Sequence, residues 1–352
     1  MSATTATAAL TDPSEVTAGW LNSVLVGPEH GPGLVRDLQV RRWRSKPLSL
    51  LLKLTPTYAI AVPDLPGAFV LKLAKPGPAT ATARRRRAKE HAFYATVAPA
   101  TPEAPVVQVW SAAHDPATSA AHLLMDDLEA THTRPPRGLP PTAGQAAATV
   151  DALATIHAAW WDHPEARAEV ALRDEAWFAA RERSAEQAAE GLLAEAGDYL
   201  APGMRSALKE AAAAYGACLR GLQTAPATIV HGDAHAWNCL SPLAEGGAVL
   251  LDWEAWTVDA GAYDLASLIA LRFDPETRRL LEPGLLRRYH DRLLARGVEG
   301  YAWDALLVAY RRAVLRRSLA PAFQWRRGVP VVTWWNNLSR ISLALADLDR
   351  DP

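Results

Sequence analysis

"IVHGDAHAWNCL", residues 229–240, sets two histidines, an aspartate and an asparagine directly behind an apolar run. These residues alone leave three readings open. In a polar turn after a strand, such side chains satisfy neighbouring backbone groups. Asp-Ala-His after a strand also begins the signature of a dinuclear metal phosphoesterase, a site that needs a second GD and a downstream asparagine–histidine pair. Neither follows Asp233, and the only histidine after the motif is His290. The third reading is phosphoryl transfer. Asp233 and Asn238 stand at D-x-x-x-x-N spacing, which lets the aspartate face an acceptor hydroxyl while the asparagine turns towards a metal.

Phosphoryl transfer demands a second carboxylate at the end of the next strand. "AVLLDWE" (248–254) supplies Asp252, 14 residues after Asn238 and behind apolar neighbours. "ATIV" and "AVLL" read as two short strands flanking the motif, with an "EGG" turn between them. Two acceptors from adjacent strand ends can share one Mg²⁺, a hard cation that prefers oxygen ligands and keeps some of its water.

The 352 residues are too many for one simple core and imply two domains. A net charge of −1 gives no general attraction to nucleic acid or an acidic membrane. Cys218 and Cys239 form no CxxC and support neither a disulfide framework nor a zinc knuckle. The N-terminus lacks a basic start and a long apolar core, and no 18-residue apolar run exists. The expected location is the cytoplasm, without a membrane or nucleic-acid partner.

Residues 1–13 read as a loose leader. "TAGWLNSVL" puts Trp20, Leu21, Val24 and Leu25 on one helical face, with Thr17 as cap. "LVRDLQVRRW", "LSLLLKL" and "AFVLKLA" read as strands. "ATARRRRAKEHAFYATV" follows as a helix with Ala88, Ala92, Phe93 and Val97 inward. Its run Arg84–Arg87 points round the helix in all directions and reads as a solvated face. "VVQVW" and "HLLMDDL" are further strands, and "TRPPRGLPPT" (133–142) marks a boundary before a helix-rich second part. The expected domains are 1–127, a nucleotide-binding lobe with its leader, and 128–352, a catalytic and substrate-binding helical lobe.

"VHGDAHAWN", then "LLDWE", then "GAYDLA" resemble the aminoglycoside phosphotransferase and choline kinase group, small-molecule relatives of protein kinases. The resemblance covers about residues 17–345 and implies a protein-kinase-like α+β fold with two lobes, the first strand-rich and the second mainly helical. It implies ATP and Mg²⁺ as cofactors and transfer of the γ-phosphoryl group to a hydroxyl of a small molecule: a sugar, a natural product or antibiotic, or another alcohol. Lys72 in "FVLKLA" takes the place of the strand lysine that holds the α- and β-phosphates. Glu90, the only carboxylate between Lys72 and Glu103, takes the place of its helix partner. "HLLMDDL" takes the place of the segment that meets the adenine, giving Met125 and Asp126. Asp233 is then the catalytic base, Asn238 and Asp252 the metal ligands, and His231, Asp264 and Glu254 supporting residues. Two alternatives are a catalytically silent nucleotide-binding relative and a metal-dependent phosphohydrolase.

The sequence departs from the pattern in two places. No glycine occurs from Leu34 to Pro66, where protein kinases carry a glycine-rich loop over the phosphates; Ser45, Lys46 and Ser49 are the substitutes, with Pro47 lacking an N–H. Gly232 stands where a regulated protein kinase has an arginine, and the stretch from Asp252 to Asp264 is too short for an activation loop. The acceptor is therefore expected to be small. His235, Trp256, Trp325 and Trp334 are its candidate contacts. Residues 310–340 are rich in arginine and hold no Asp or Glu, which argues against a polycationic acceptor and for a neutral or anionic alcohol.

Overall fold

The computed structural model describes residues 8–26, 33–136, 139–244 and 246–350. The chain forms two compact units. One comprises Met1–Thr133, Pro242–Glu245 and Leu250–Ala255; the other comprises Arg134–Ser241, Gly246–Val249 and Trp256–Pro352. The Asp252 segment therefore belongs to the first unit, away from its sequence neighbours.

The first unit is built on an antiparallel sheet of β1 (Val35–Ser45), β2 (Ser49–Tyr58), β3 (Phe69–Ala74), β4 (Val109–His114) and β5 (Ala121–Asp126), in the order β1-β2-β3-β5-β4. The central strand β3 is buried along its whole length. Its alternation sends Phe69, Leu71 and Leu73 to one face. There they pack with Leu52, Leu54 and Leu124 and with Leu21 and Leu25 of α1 (Ala18–Leu25). Each such buried side chain contributes about 2 kcal/mol, and truncating Leu71 to alanine would cost about 2–5 kcal/mol. Thr17 caps α1 by accepting the Trp20 N–H. The leader is less loose than its composition suggests. Leu10 is buried, and its N–H donates to His122 Nδ1 at 3.1 Å. Residues 1–7 of that leader lie outside the described residues.

Lys72 lies on the opposite face of β3, in register with Leu51 and Leu123. That face meets α2 (Ala81–Ala92), which runs on through a π turn at Phe93–Val97 into the short α3 (Ala98–Ala100). The inward residues of α2 are Ala83 and Glu90 rather than Ala88 and Ala92, while Phe93, Tyr94 and Val97 are buried by the wider π turn. The arginine run is solvated only in its first half, where Arg84 and Arg85 are exposed. Arg87 donates to the carbonyls of Ser119, Leu48 and Lys75, and Arg86 pairs with Glu254 at 2.8 Å.

The remaining strands are short: β6 (His132–Thr133), β7 (Thr228–Val230), β8 (Cys239–Pro242), β9 (Val249–Leu250) and β10 (Thr257–Asp259). Strand β7 pairs antiparallel with β10, not with the strand that leads to Asp252. The helices of the second unit are α4 (Ala143–Ala159), α5 (Pro164–Ala171), α6 (Glu175–Ala196), α7 (Pro202–Arg220), α8 (Ala262–Leu265), α9 (Pro275–Ala295), α10 (Trp303–Arg317), α11 (Ala320–Arg326) and α12 (Val331–Leu348). Helix α4 starts in a capping box between Thr142 and Gln145 and buries Val150, Leu153 and Ile156 completely. No helix is long and apolar enough to cross a membrane among the described residues.

Candidate active site

In the first unit, Lys72 Nζ lies 2.6 Å from Glu90 Oε1 and 2.7 Å from Asp252 Oδ1. Asp252 reaches this place because its segment is fastened on both sides. Leu250 donates its N–H to the Pro105 carbonyl at 2.7 Å, and the Trp253 indole stacks on Phe93 at 3.8 Å between ring centres. Asp252 itself has φ +62°, a left-handed conformation that aspartate tolerates better than most residues. Its second oxygen, Oδ2, takes Lys46 Nζ at 2.6 Å. Lys46 opens the β1–β2 turn, donating its N–H to the Ser49 carbonyl at 2.8 Å with Pro47 at the next position.

Burial opposes the charge on all three partners of this triad. Lys72 is nevertheless held well above the ordinary lysine range by Glu90 and Asp252. Burial raises the Asp252 carboxyl, but Lys72 and Lys46 outweigh it and drive the group well below the usual carboxylate range. Glu90 moves the other way, raised by burial beyond what Lys72 recovers. Both Asp252 oxygens already hold cations, so this carboxylate is suited to a divalent ion.

Ser49 is buried and lines a cleft with Lys72, Glu90, Arg87 and His122, whereas Ser45 is exposed at the end of β1. On β5, Met125 and Asp126 pair with Val70 and Phe69, and Asp126 accepts the Trp110 indole N–H at 2.7 Å. Glu254 is occupied by Arg86.

In the second unit, β7 delivers His231 to the start of the loop, and Gly232 turns it at φ +81°. An arginine there would carry the cost of a left-handed backbone, about 1–2 kcal/mol. The fully buried Asp264 carboxylate holds the turn. It accepts the N–H of His231 at 2.6 Å and of Gly232 at 2.9 Å, and meets His157 Nε2 at 3.3 Å. His157 in turn lies 2.8 Å from the Tyr289 hydroxyl through Nδ1. Gly261 closes this group because a side chain would not fit: a Cβ there would stand 2.1 Å from Tyr289 Oη.

Beyond the turn, Asn238 Nδ2 donates to the Asp233 carbonyl at 3.2 Å, leaving its Oδ1 as the acceptor atom. Its N–H is received by His235, through Nδ1 at 3.1 Å and through the carbonyl at 2.9 Å. The Asp233 carboxylate is half-exposed and takes Arg272 Nη2 on Oδ1 at 3.2 Å. Burial raises the Asp233 carboxyl, but His235, Arg272 and Arg317 outweigh it and hold the group below its ordinary value. Burial pushes the His235 imidazole down to about 4, against the pull of Asp233.

Two of the candidate acceptor contacts are taken up in helix packing. Trp334 is buried in α12, and Trp325 covers Gly191 of α6 and donates to Glu195 at 3.1 Å. Trp256 is half-buried just before β10. Sequence reasoning missed His157, Arg272 and Arg317. His157 sits in "LATIHAAWW", where nothing local distinguishes it from an ordinary helix histidine. Among the described residues no group of three or more His, Cys, Asp or Glu is assembled for a metal, so the available ligands are single hard-oxygen donors.

A model of the phosphotransferase enzyme family matches residues 54–307. Solved structures with this fold include a choline/ethanolamine kinase family protein from Mesorhizobium loti, 14% identical, covering 89% of each chain at a TM-score of 0.51. A choline kinase from Cryptosporidium parvum is 7% identical and covers 97% of this chain and 96% of its own at 0.53. The GDP complex of aminoglycoside 2′-phosphotransferase-IIIa is 11% identical and covers 89% and 93% at 0.50. A search of curated proteins gives no significant match. The fold is thus the α+β fold of the protein-kinase-like small-molecule kinases. The chain belongs to the phosphotransferase enzyme family.

Proposed function

We propose that the protein transfers the γ-phosphoryl group of ATP to a hydroxyl of a small molecule, with Mg²⁺ as cofactor. The observation that carries this reading is Lys72, buried between Glu90 and Asp252 at 2.6 and 2.7 Å. A buried lysine fixed by two carboxylates from distant segments is a prepared counter-charge for phosphate, at a position the family places in its nucleotide site. We assign residues 1–127 to nucleotide binding, and residues 128–352 to catalysis and acceptor binding.

On this proposal Lys72, oriented by Glu90, neutralises phosphate charge, and Met125 and Asp126 border the adenine. Ser45, Lys46 and Ser49 replace the missing glycine-rich loop over the phosphates. Asp252 and the Asn238 side-chain oxygen are the residues that would hold Mg²⁺, which would offset charge on the phosphate oxygens. Asp233 orients the acceptor hydroxyl and takes its proton as the new O–P bond forms. A depressed carboxyl suits that task, because the proton moves late in a loose transition state and the base needs only to be ionised and in place. Asp264 and His231 fix the loop backbone, so positioning and charge stabilisation supply most of the rate. His235 and Trp256 are the proposed acceptor contacts closest in sequence to the catalytic residues.

The test is mass spectrometry of pooled hydroxylated compounds incubated with Mg·ATP and either the wild type or Asp233→Ala. A phosphoryl mass gain confined to the wild type supports the assignment. An equal gain with both proteins overturns the role of Asp233. No gain combined with no Mg·ATP protection in a thermal melt overturns the phosphotransferase reading.

A further inference from the structure

We infer that the acceptor carries an anionic group, a carboxylate or a phosphate ester, seated by Arg272, Arg317 and Arg340 beside Asp233. This deepens the phosphotransferase reading and rests on it.

Arg272 pairs with the Asp233 carboxylate at 3.2 Å, and two further guanidinium groups from separate segments act on Arg272. Arg317, the last residue of α10, acts electrostatically on both Asp233 and Arg272, and Arg340 of α12 acts on Arg272. Arg317 donates to the Tyr263 hydroxyl at 2.8 Å, and Arg340 makes no ion pair among the described residues. The acidic partners are too few. Asp264 is consumed by the His231 and Gly232 amides and by His157, and Asp259 is held by Arg316. Among the described residues Asp233 is the one carboxylate paired with Arg272, and it also lies 3.8 Å from His235 Nε2. The buried Nε atoms of Arg272 and Arg317 also lack hydrogen-bond partners, a surplus of donors where buried polar groups are ordinarily satisfied.

Like charges gathered in a partly dehydrated site repel, so the cluster is a seat for negative charge. Guanidinium forks match carboxylate and phosphate oxygens in pairs. A choline-like or polycationic acceptor would add a further positive charge here and be repelled. An anionic group on the acceptor has a second consequence. By competing for Arg272 it loosens that residue's hold on Asp233 Oδ1, freeing the carboxylate for the hydroxyl. The hydroxyl proton then passes to Asp233 as the new O–P bond forms, the bond from the γ-phosphorus to its bridging oxygen breaks, and ADP departs.

The experiment uses the full chain with Mg·ATP and matched alcohols: glycerol, choline, glucose and glucosamine against glycerate, gluconate, glycerol 3-phosphate and glucose 6-phosphate. The expected result is a phosphoryl mass gain only among the anionic members, with the carboxylates and phosphate esters separating the two sources of charge. Arg340→Gln and Arg272→Gln should each raise the acceptor KM by about tenfold or more while the KM for ATP stays within about twofold. Transfer to neutral or cationic members overturns the acceptor class. So does an unchanged acceptor KM in Arg340→Gln, or no transfer to any anionic member while Mg·ATP still raises the melting temperature. In each of those cases the phosphotransferase reading stands, whereas loss of Mg·ATP protection removes that reading itself.

Discussion

Lys46 Nζ lies 2.6 Å from Asp252 Oδ2, on a carboxylate proposed as a magnesium ligand. Ammonium and metal then compete for the same oxygen. The pair is partly exposed, so solvent screening keeps its worth near 0.5–1 kcal/mol. Lys46→Ala should therefore bind Mn²⁺ about threefold more tightly than the wild type without nucleotide, read by electron paramagnetic resonance titration. The KM for ATP should rise in the same variant, because the lysine is proposed to move onto phosphate once the metal arrives. Unchanged Mn²⁺ binding would mean that Lys46 does not guard the site.

Asp252→Asn keeps the shape and the tolerance of a left-handed backbone but removes the charge. Lys72 and Lys46 then face a neutral amide. ATP protection in a thermal melt should become independent of Mg²⁺, and kcat should fall on the order of 100-fold. A variant whose protection still responds to Mg²⁺ as the wild type does would take Asp252 out of the metal site.

Gly261 tests the support beneath the loop. A methyl group there would stand 2.1 Å from Tyr289 Oη and 2.9 Å from His157 Nδ1. Gly261→Ala should cost about 1–3 kcal/mol in urea unfolding. Tyr289→Phe removes the obstructing oxygen but leaves His157 Nδ1 without its partner, at about 1–2 kcal/mol. The double variant should lose clearly less than the two single losses together. Strict additivity would show that the methyl group is accommodated by some other movement.

His122 predicts an acid-sensitive first unit. Its Nδ1 accepts the Leu10 N–H and its Nε2 meets Ser111 Oγ at 3.0 Å, so the ring is held neutral; burial pushes its pKa down to about 4. The folded value lies below the unfolded value of about 6.5, so the unfolded chain takes up a proton that the folded chain refuses. Stability should be full above pH ~6.5 and decline towards pH ~4, losing about 2 kcal/mol by pH ~5 from this ring alone. His235, lowered to about 4 by burial, adds a parallel loss in the second unit. His122→Gln should be less stable at neutral pH but show a flatter profile between pH ~6.5 and ~5, removing only its own share. An unchanged slope would place the acid sensitivity elsewhere.

The readable parts of the sequence were those with a local signal. Thr17 before an apolar helical face followed from period, whereas Lys72 on its strand and Glu90 on the next helix were legible through the family resemblance. "VVQVW" misled because its β-branched residues suggest a strand, whereas the paired strand runs Val109–His114 through "SAAH", whose residues have little strand preference. There, pairing with β5 overrode propensity. Strand β10 is only three residues long, too short for any alternation to register. The arginine run is a solvated face at Arg84 and Arg85 but not at Arg86, which finds its partner at Glu254, 168 positions away. His157 and the arginines at Asp233 were hidden for the same reason: their partners meet only when distant segments fold together, and one sequence carries no mark of that meeting.

The left-handed backbone at Asp252 also governs which mutations that position can survive. Most side chains there would lose about 1–2 kcal/mol before any chemistry is considered, while glycine, asparagine and aspartate escape most of it. Of those three, only aspartate brings the negative charge that Lys72 and Lys46 require. Backbone shape and charge therefore select the same residue by independent routes, and genetic drift at this codon is checked twice.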